Sequence, residues 1–302
     1  MTDFYIVDVF TQGEYAGNQL AVFMNGERFS VEQMQTLARE THFSETTFIA
    51  GQSASSSDPA RYSVRIFTPA AEIPFAGHPT LGTAFVIAQT LLETPAARIE
   101  LAMEAGIIPV DITYNHSQPD WMTMTQNQPI FGATIDHAVM AECLDVPETA
   151  LDSGFPVQIV STGLPFAIVA MRSLRDVQSS SVRIDALRRL LSRFPDLNIL
   201  VFTTATVMPQ HDLHTRVFVP ELGVSEDPAT GSATGCLCAY LLRYGIPGES
   251  ALRATFSLKV EQGYQINRPS LLLMTGERDH ERYDIRVGGR VEWVARAELL
   301  GY

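Results

Sequence analysis

Cysteine is scarce in this sequence, and its scarcity excludes several classes of protein. Three cysteines in 302 residues are too few for a disulfide framework and are typical of a reducing compartment. The first residues also lack the basic start of a secretory signal peptide, so we expect a cytoplasmic protein. Cys236 and Cys238 are separated by one residue and do not form a C-x-x-C motif. We expect both thiols to belong to the core.

Positive charge is scarce as well. The chain has 21 Lys and Arg against 34 Asp and Glu, which gives a net charge of −13. No basic run interleaved with aromatic residues occurs, so nucleic acid and anionic membranes are not expected partners. The 20 residues 73–92 carry no formal charge. Prolines, a histidine, a glutamine and three threonines interrupt them, so we do not predict a membrane-spanning helix.

Motifs for nucleotides, metals and serine nucleophiles are missing too. The sequence contains no G-x-G-x-x-G, and residues 231–235 (GSATG) lack the spacing and the lysine of a phosphate-binding loop. They do not form a G-x-S-x-G elbow either. His211 and His214 have a spacing that can suggest a metal, but they lie in a polar stretch without a third ligand in view. We therefore predict no metal site and no nucleotide cofactor.

An apolar segment is present, and it occurs twice. Residues 64–68 predict a strand, and a loop then leads to a helix that begins near Gly77, His78 and Pro79. This helix is apolar on every side up to residue 92, which predicts burial. Residues 216–220 (RVFVP) repeat residues 65–69 (RIFTP), and a second uncharged helix over 236–242 follows the 231–235 loop.

The repeat predicts a duplicated α+β fold. A weaker repeat relates residues 17–22 to 163–168, and the length suggests two domains. Strands outnumber helices, and each half has one apolar helix. We therefore predict two pseudo-symmetric domains, each a curved mixed sheet wrapped around its central helix. The first is expected over 1–126, completed by a last strand at about 288–302, and the second over 127–287.

Local signals predict the remaining elements. Ser30 is expected to cap a helix that runs to residue 40. Further helices are predicted at 137–143 and 183–194, and residues 51–60, with four serines, predict a surface loop. Strands are predicted at 4–10, 19–24, 44–50, 99–101, 106–112, 121–125, 157–161, 166–171, 197–205, 215–219, 255–261, 270–275, 283–287 and 291–297.

The two helix starts are candidate binding sites for an anion. Gly77 with His78, and Thr230 with Gly231 and Ser232, offer unpaired N–H groups at the positive end of a helix dipole. Both starts are expected to line one cleft between the domains, where they would hold a carboxylate. Alternatively, the glycines only permit tight turns beneath a buried helix. The duplication favours binding.

Three side chains near these segments are candidates for acid–base chemistry. His78 either points from its loop toward a ligand or caps its helix. Asp227 precedes the second helix, where an acid is also an ordinary capping residue. Glu45 is either a surface glutamate or a partly desolvated one, whose raised pKa would let it move a proton near neutral pH.

Taken together, these segments resemble the phenazine-biosynthesis (PhzF-like) family, which shares its fold with diaminopimelate epimerase and proline racemase. The resemblance covers essentially the whole chain and implies an active site between two domains, no cofactor and a homodimer. The segments that carry it are Asp8-Val9-Phe10, Gly17-Asn18, Ser44-Glu45-Thr46, Phe67-Thr68-Pro69, Gly77-His78-Pro79-Thr80 and residues 226–233 (EDPATGSA).

The resemblance also implies roles for the candidates. It makes Glu45 the general acid/base that relocates a proton on a small, cyclic, unsaturated carboxylate, with His78 and Asp227 assisting. In the phenazine enzyme the substrate is a dihydro-hydroxyanthranilate. Gly77 belongs to one substrate-holding loop. The other loop contains Thr230, Gly231 and Ser232.

One departure separates this chain from thiol-dependent epimerases and racemases. Those enzymes need a cysteine before each central helix, and Ala76 and about Ala229 occupy these places here. An isomerase is therefore favoured. A lyase or hydratase would use the same residues. A non-catalytic metabolite-binding or interaction protein remains the alternative, although it would need only the loops and not Glu45, His78 and Asp227 together.

Overall fold

The computed structural model describes residues 2–52, 60–219 and 224–300. The strands are β1 Thr2–Val9, β2 Asn18–Phe23, β3 Glu45–Gln52, β4 Ala60–Phe67, β5 Glu72–Ile73, β6 Arg98–Met103, β7 Gly106–Asn115, β8 Gln118–Thr125, β9 Ile130–Ile135, β10 Val157–Ser161, β11 Pro165–Ala170, β12 Asn198–Thr203, β13 Leu213–Val219, β14 Val224–Asp227, β15 Thr255–Gln262, β16 Ser270–Asp279, β17 Arg282–Gly289 and β18 Val291–Leu299. The α-helices are α1 Val31–Thr41, α2 Gly77–Thr90, α3 His137–Cys143, α4 Leu174–Ser179, α5 Ile184–Leu191 and α6 Gly231–Tyr244.

The chain divides into two units. The first contains Met1–Thr125 and Gly288–Tyr302, and the second contains Gln126–Val287. In the first unit, β18, β1 and β2 are joined by antiparallel pairing, β2 and β3 run parallel, and β3 and β4 antiparallel. Strands β4 and β6 then run parallel, and β6 to β8 antiparallel. The two parallel pairs need crossovers, which α1 and α2 supply.

The second unit repeats this pairing in the same order. Strands β9, β10 and β11 are antiparallel, β11 and β12 parallel, and β12 and β13 antiparallel. Strands β13 and β15 are parallel, and β15 and β16 antiparallel. Helices α4 and α5 lie in the first crossover and α6 in the second. The predicted duplication and the α+β fold class are therefore confirmed.

Each unit buries its central helix as predicted. The first eleven residues of α2 and the first twelve of α6 are all buried. Gly82 in α2 shows how closely the sheet approaches, because a Cβ there would lie 2.6 Å from Leu20 Cδ2 and 2.8 Å from Val9 Cγ2. Strands β1 and β2 thus pack directly onto the helix.

The repeated R-x-F-x-P segments have a structural explanation. Arg65 of β4 forms a bidentate ion pair with Glu72 of β5, at 2.7 and 2.6 Å. Arg216 of β13 forms the same pair with Glu226 of β14, at 3.0 and 2.7 Å. Each guanidinium also lies over the phenylalanine two residues further on. In both units the arginine therefore ties a strand to the short strand that leads into the central helix.

Several predicted elements are corrected. Helix α6 begins at Gly231 and not near 236, because its glycines are helical and Gly235 lets Gln126 pack against the helix. Helix α2 does begin at Gly77, as predicted, and Pro79 is its third residue, a position whose N–H is unused in a helix. Helix α5 is shorter than predicted. The short elements β5, β9, β14 and α4 were missed, since such pieces carry little periodicity.

Other local predictions are confirmed. Ser30 caps α1 in a capping box with Gln33, and α3 has the predicted limits. Of the predicted 51–60 loop, residues 53–59 lie outside the described residues, and the flanking positions belong to β3 and β4. In the part of the chain that the structure describes, no helix has the length and apolar character needed to cross a membrane.

The close packing at Gly82 gives a testable prediction. Alanine is the better helix former, but its Cβ would collide with two fully buried side chains, and overpacking costs about 1–3 kcal/mol. We expect Gly82→Ala to lower the free energy of unfolding in urea by about 1–2 kcal/mol. Gln89→Ala, at the half-buried end of the same helix, should change it by less than about 0.5 kcal/mol. Equal effects of the two changes would contradict this packing.

Candidate functional site

Glu45 opens β3 and is buried there. It lies opposite Leu20 in the parallel β2–β3 pair, and only 8% of its surface is exposed. Thr46 and Thr47, which follow it, are fully buried. The surface alternative for Glu45 is therefore wrong. A carboxyl group at such a place needs polar neighbours, because burial without them is costly.

His78 is one of these neighbours. It is the second residue of α2, and its Nε2 lies 3.5 Å from Glu45 Oε2. On the other side of the ring, Nδ1 lies 3.3 Å from Nδ2 of Asn18, the first residue of β2. Strands β2 and β3 and helix α2 thus bring three buried polar side chains together. The sequence offered Asn18 only as part of a turn, so its contact with His78 was not foreseen.

The imidazole of His78 is neutral at physiological pH. Burial lowers the pKa of His78 to about 3, although a hydrogen bond with the backbone of Gln19 opposes this effect. Glu45 and His78 are therefore not an ion pair at neutral pH. His78 can donate or accept a hydrogen bond near the carboxyl group, but it supplies no positive charge to hold that group ionised.

The second unit places its candidates on one short loop. Asp227 ends β14 and is buried, and Thr230 is the N-cap of α6. Thr230 Oγ1 donates a hydrogen bond of 2.5 Å to Asp227 Oδ2. Gly231 and Ser232 are the first two residues of the helix, and both are buried. Asp227 is thus tied by a short hydrogen bond to the residue from which the helix starts.

Helices α2 and α6 both begin without a capping side chain. Ala76 and Thr230 are the N-caps, and neither side chain accepts a hydrogen bond from its own helix. The first N–H groups of α2 and α6 are therefore not taken up by a capping side chain, which suits an anion. Thr230, and not Ala229, thus holds the helix position that matches Ala76. Neither N-cap is a cysteine, and the expectation that both starts line one cleft stays a prediction.

Cys236 and Cys238 are core residues, as predicted, and Cys143 is buried too. All three are buried in the described chain. Burial raises the pKa of Cys236 to about 12, against weaker effects of Thr162. Burial also raises the pKa of Cys238 and of Cys143. These thiols stay protonated at neutral pH and are poor nucleophiles.

His211 lies in the loop before β13, whereas His214 does not, and this corrects the sequence interpretation, which placed both in a polar stretch. His214 belongs to β13, both rings are buried, and their Nδ1 atoms lie 2.7 Å from the two carboxylate oxygens of Glu261 on β15. Burial alone would raise the pKa of Glu261, but these hydrogen bonds and two from backbone N–H groups lower it. Across residues 2–52, 60–219 and 224–300, no group of three or more His, Cys, Asp or Glu side chains is arranged to hold a metal ion.

The chain is similar to known proteins over nearly its whole length. The profile of a family described as phenazine biosynthesis-like protein (PhzC-PhzF) matches residues 7–296. The trans-2,3-dihydro-3-hydroxyanthranilate isomerase of Pseudomonas fluorescens is 33% identical over 303 residues, covering 100% of this chain and 96% of the relative. An uncharacterized isomerase of Clostridium acetobutylicum is 31% identical, with coverage of 98% and 97%.

Solved structures agree with the fold. A PhzF-family phenazine biosynthesis protein from Bacillus anthracis superposes with a TM-score of 0.87 at 26% identity, over 99% of both chains. A hydroxyproline epimerase from Agrobacterium vitis gives a TM-score of 0.61 at 13% identity, over 98% of this chain and 91% of the other. The second likeness concerns the fold alone. The predicted epimerase-like fold is therefore confirmed.

The neutral state of His78 predicts a pH dependence of stability. In the unfolded chain His78 has its ordinary pKa near 6.5, whereas the folded protein holds it at about 3. The free energy of unfolding therefore contains a contribution from His78 that is complete above pH 6.5. Below that pH the contribution falls by about 1.4 kcal/mol per pH unit, because only the unfolded chain binds the proton. Urea unfolding between pH 7.5 and 5.0 should show this slope, and His78→Gln should reduce it. Parallel profiles for the two proteins would show that His78 titrates normally.

The buried thiols give a second prediction. We expect iodoacetamide at pH 8 to leave all three cysteines of the folded protein unmodified, because alkylation needs an accessible thiolate. Intact-mass spectrometry should show no added group before denaturation and three after it. Rapid labelling of Cys236 in the folded protein would contradict both its burial and its raised pKa.

Proposed function

The chain belongs to the phenazine biosynthesis-like PhzC-PhzF family, and we propose that it is a cofactor-independent isomerase of a small carboxylate. The observation that carries this proposal is the buried carboxyl group of Glu45, 3.5 Å from the neutral imidazole of His78. Such a pair is suited to moving a proton within a substrate. The relatives named above, which are isomerases by name, support the same reaction class.

Glu45 is proposed as the group that removes a proton from carbon and returns it at another position. A carboxyl group works well in both directions when its two protonation states are close in free energy. His78, being neutral, supplies no cation that would hold Glu45 in the ionised state. It offers one hydrogen bond that can adjust as Glu45 gains and loses its proton. The distance of 3.5 Å suits a contact that shortens when substrate binds.

The residues at the two helix starts are proposed to hold the substrate. Backbone N–H groups at Gly77 and at Gly231 and Ser232 stabilise negative charge without a lysine or arginine. Asp227, oriented by Thr230, is proposed as a further proton-handling group. The name of the Pseudomonas fluorescens relative suggests the substrate class. We therefore propose a cyclic, unsaturated carboxylate as the substrate.

The proposal predicts the result of proton NMR in deuterated buffer. A panel of cyclic and acyclic unsaturated carboxylates, including trans-2,3-dihydro-3-hydroxyanthranilate, is offered to the protein and to Glu45→Gln. We expect deuterium to enter one compound with the wild type, and the rate to fall about 10²- to 10⁴-fold in the variant, which keeps the shape but loses the acid–base group.

Glu100→Gln is the matched control. Glu100 lies on β6 of the same unit and pairs with Arg61, far in sequence from the candidate residues. The Glu100→Gln variant should incorporate deuterium into the compound at the wild-type rate. Equal rates in wild type and Glu45→Gln would remove Glu45 from the mechanism. Binding of a carboxylate without any exchange would favour a metabolite-binding protein.

A further inference from the structure

Gln262, the last residue of β15, binds both ends of the loop that holds Asp227. Its side chain is fully buried. Nε2 donates to the backbone oxygen of Asp227 at 2.7 Å and to Thr230 Oγ1 at 3.1 Å. In return, Oε1 accepts a hydrogen bond from the backbone N–H of Thr230 at 3.3 Å. One amide thus makes three hydrogen bonds to the two residues that delimit the loop.

These bonds continue to the Asp227 carboxylate. Because Thr230 Oγ1 accepts from Gln262, its own hydroxyl proton is directed to Asp227 Oδ2, at 2.5 Å. The amide of Gln262 thus donates to the hydroxyl of Thr230, which in turn donates to the carboxylate of Asp227. Both donors and the acceptor of the amide are used, a combination that neither glutamate nor an apolar side chain can reproduce. The position therefore selects for glutamine specifically.

The strand that carries Gln262 is itself held firmly. The neighbouring Glu261 accepts hydrogen bonds from His211 and His214 and from the N–H groups of Val207 and Met208. Successive side chains of a strand point to opposite faces. Glu261 therefore fixes β15 on one face while Gln262 reaches the loop from the other.

The chain beyond Gln262 also contacts the loop. Gly263 has a φ of +79°, and a Cβ at this position would lie 2.6 Å from the backbone oxygen of Pro228. Only glycine allows this conformation and this approach without strain. The loop from Asp227 to Thr230 is therefore supported by both the side chain of Gln262 and the turn that follows it.

We propose that Gln262 is a positioning residue that sets the orientation of the Asp227 carboxylate and of the Thr230 N–H at the start of α6. Its effect on turnover rests on the proposed function. Its effect on the loop does not, since that effect is a property of the folded chain. Two measurements therefore separate the two statements.

The first measurement is amide hydrogen exchange, followed residue by residue by NMR. Gln262→Met keeps the length of the side chain but removes all three hydrogen bonds. We expect exchange at the Thr230 N–H to rise at least about tenfold, while amides in the middle of α6 keep their wild-type rates. Gln262→Glu, which loses the donors and keeps an acceptor, should show an intermediate rise and serves if the methionine variant does not fold.

Gln158→Met is the matched control. Gln158 is a buried glutamine of the same unit that accepts from Tyr244 and donates to the backbone of Gly132. It has no hydrogen bond to the loop among those described. Its loss should lower stability without altering exchange at Thr230. The proposal fails if Thr230 exchanges normally in both Gln262 variants, or if Gln158→Met affects it equally.

The second measurement is the rate of deuterium incorporation in the NMR assay above. With Asp227 misplaced, we expect kcat to fall about 10- to 100-fold in Gln262→Met with a smaller change in KM. Gln158→Met should keep the wild-type kcat. Unchanged kcat in Gln262→Met would overturn a role in positioning the catalytic group. If the wild type turns over no compound and Thr230 still responds, the proposed function fails and the positioning role of Gln262 stands.

Discussion

The fold depends on burying two helices that carry almost no charge. Helices α2 and α6 are apolar on nearly all sides, so each must be covered by a sheet that curves around it. A helix buried in this way has its first N–H groups pointing toward one end of its unit. At these ends Ala76 and Thr230 provide no capping side chain. The constraint that stabilises each unit therefore also creates the positive helix starts, to which we propose that the substrate binds.

The duplicated units keep the same supports and differ in chemistry. In both, an arginine–glutamate pair ties a long strand to the short strand before the central helix, Arg65 with Glu72 and Arg216 with Glu226. The second pair is more deeply buried, where breaking it would cost more. At the helix starts the first unit has His78, beside a buried glutamate. The second unit has Ser232 there, and Asp227 at the end of the preceding strand, β14. The supporting ion pairs are thus shared, whereas the candidate catalytic groups are not.

Electrostatics decide what the buried side chains can do. Burial keeps the imidazole of His78 neutral and the thiol of Cys236 protonated, and both effects arise because a charged group loses its hydration. At Glu261 burial has less effect than hydrogen bonding, because four hydrogen-bond donors lower the pKa by more than burial raises it. A carboxyl group surrounded by donors serves structure. For the Glu45 carboxyl group, which lies 3.5 Å from the neutral ring of His78, we propose proton exchange instead.

The sequence by itself determined the duplicated α+β architecture, the two central helices and the candidates Glu45, His78 and Asp227, because strong periodicity, missing charge and repeated motifs are properties of short segments. Only the tertiary structure decided which side chains meet. Asn18 of β2 contacts His78, 60 residues later in the chain, and Gln262 reaches a loop 32 residues earlier in the chain. Such contacts depend on strand pairing, so no local pattern signals them. The same reason explains why the sequence did not predict that His211 and His214 are buried against Glu261, which lies on β15.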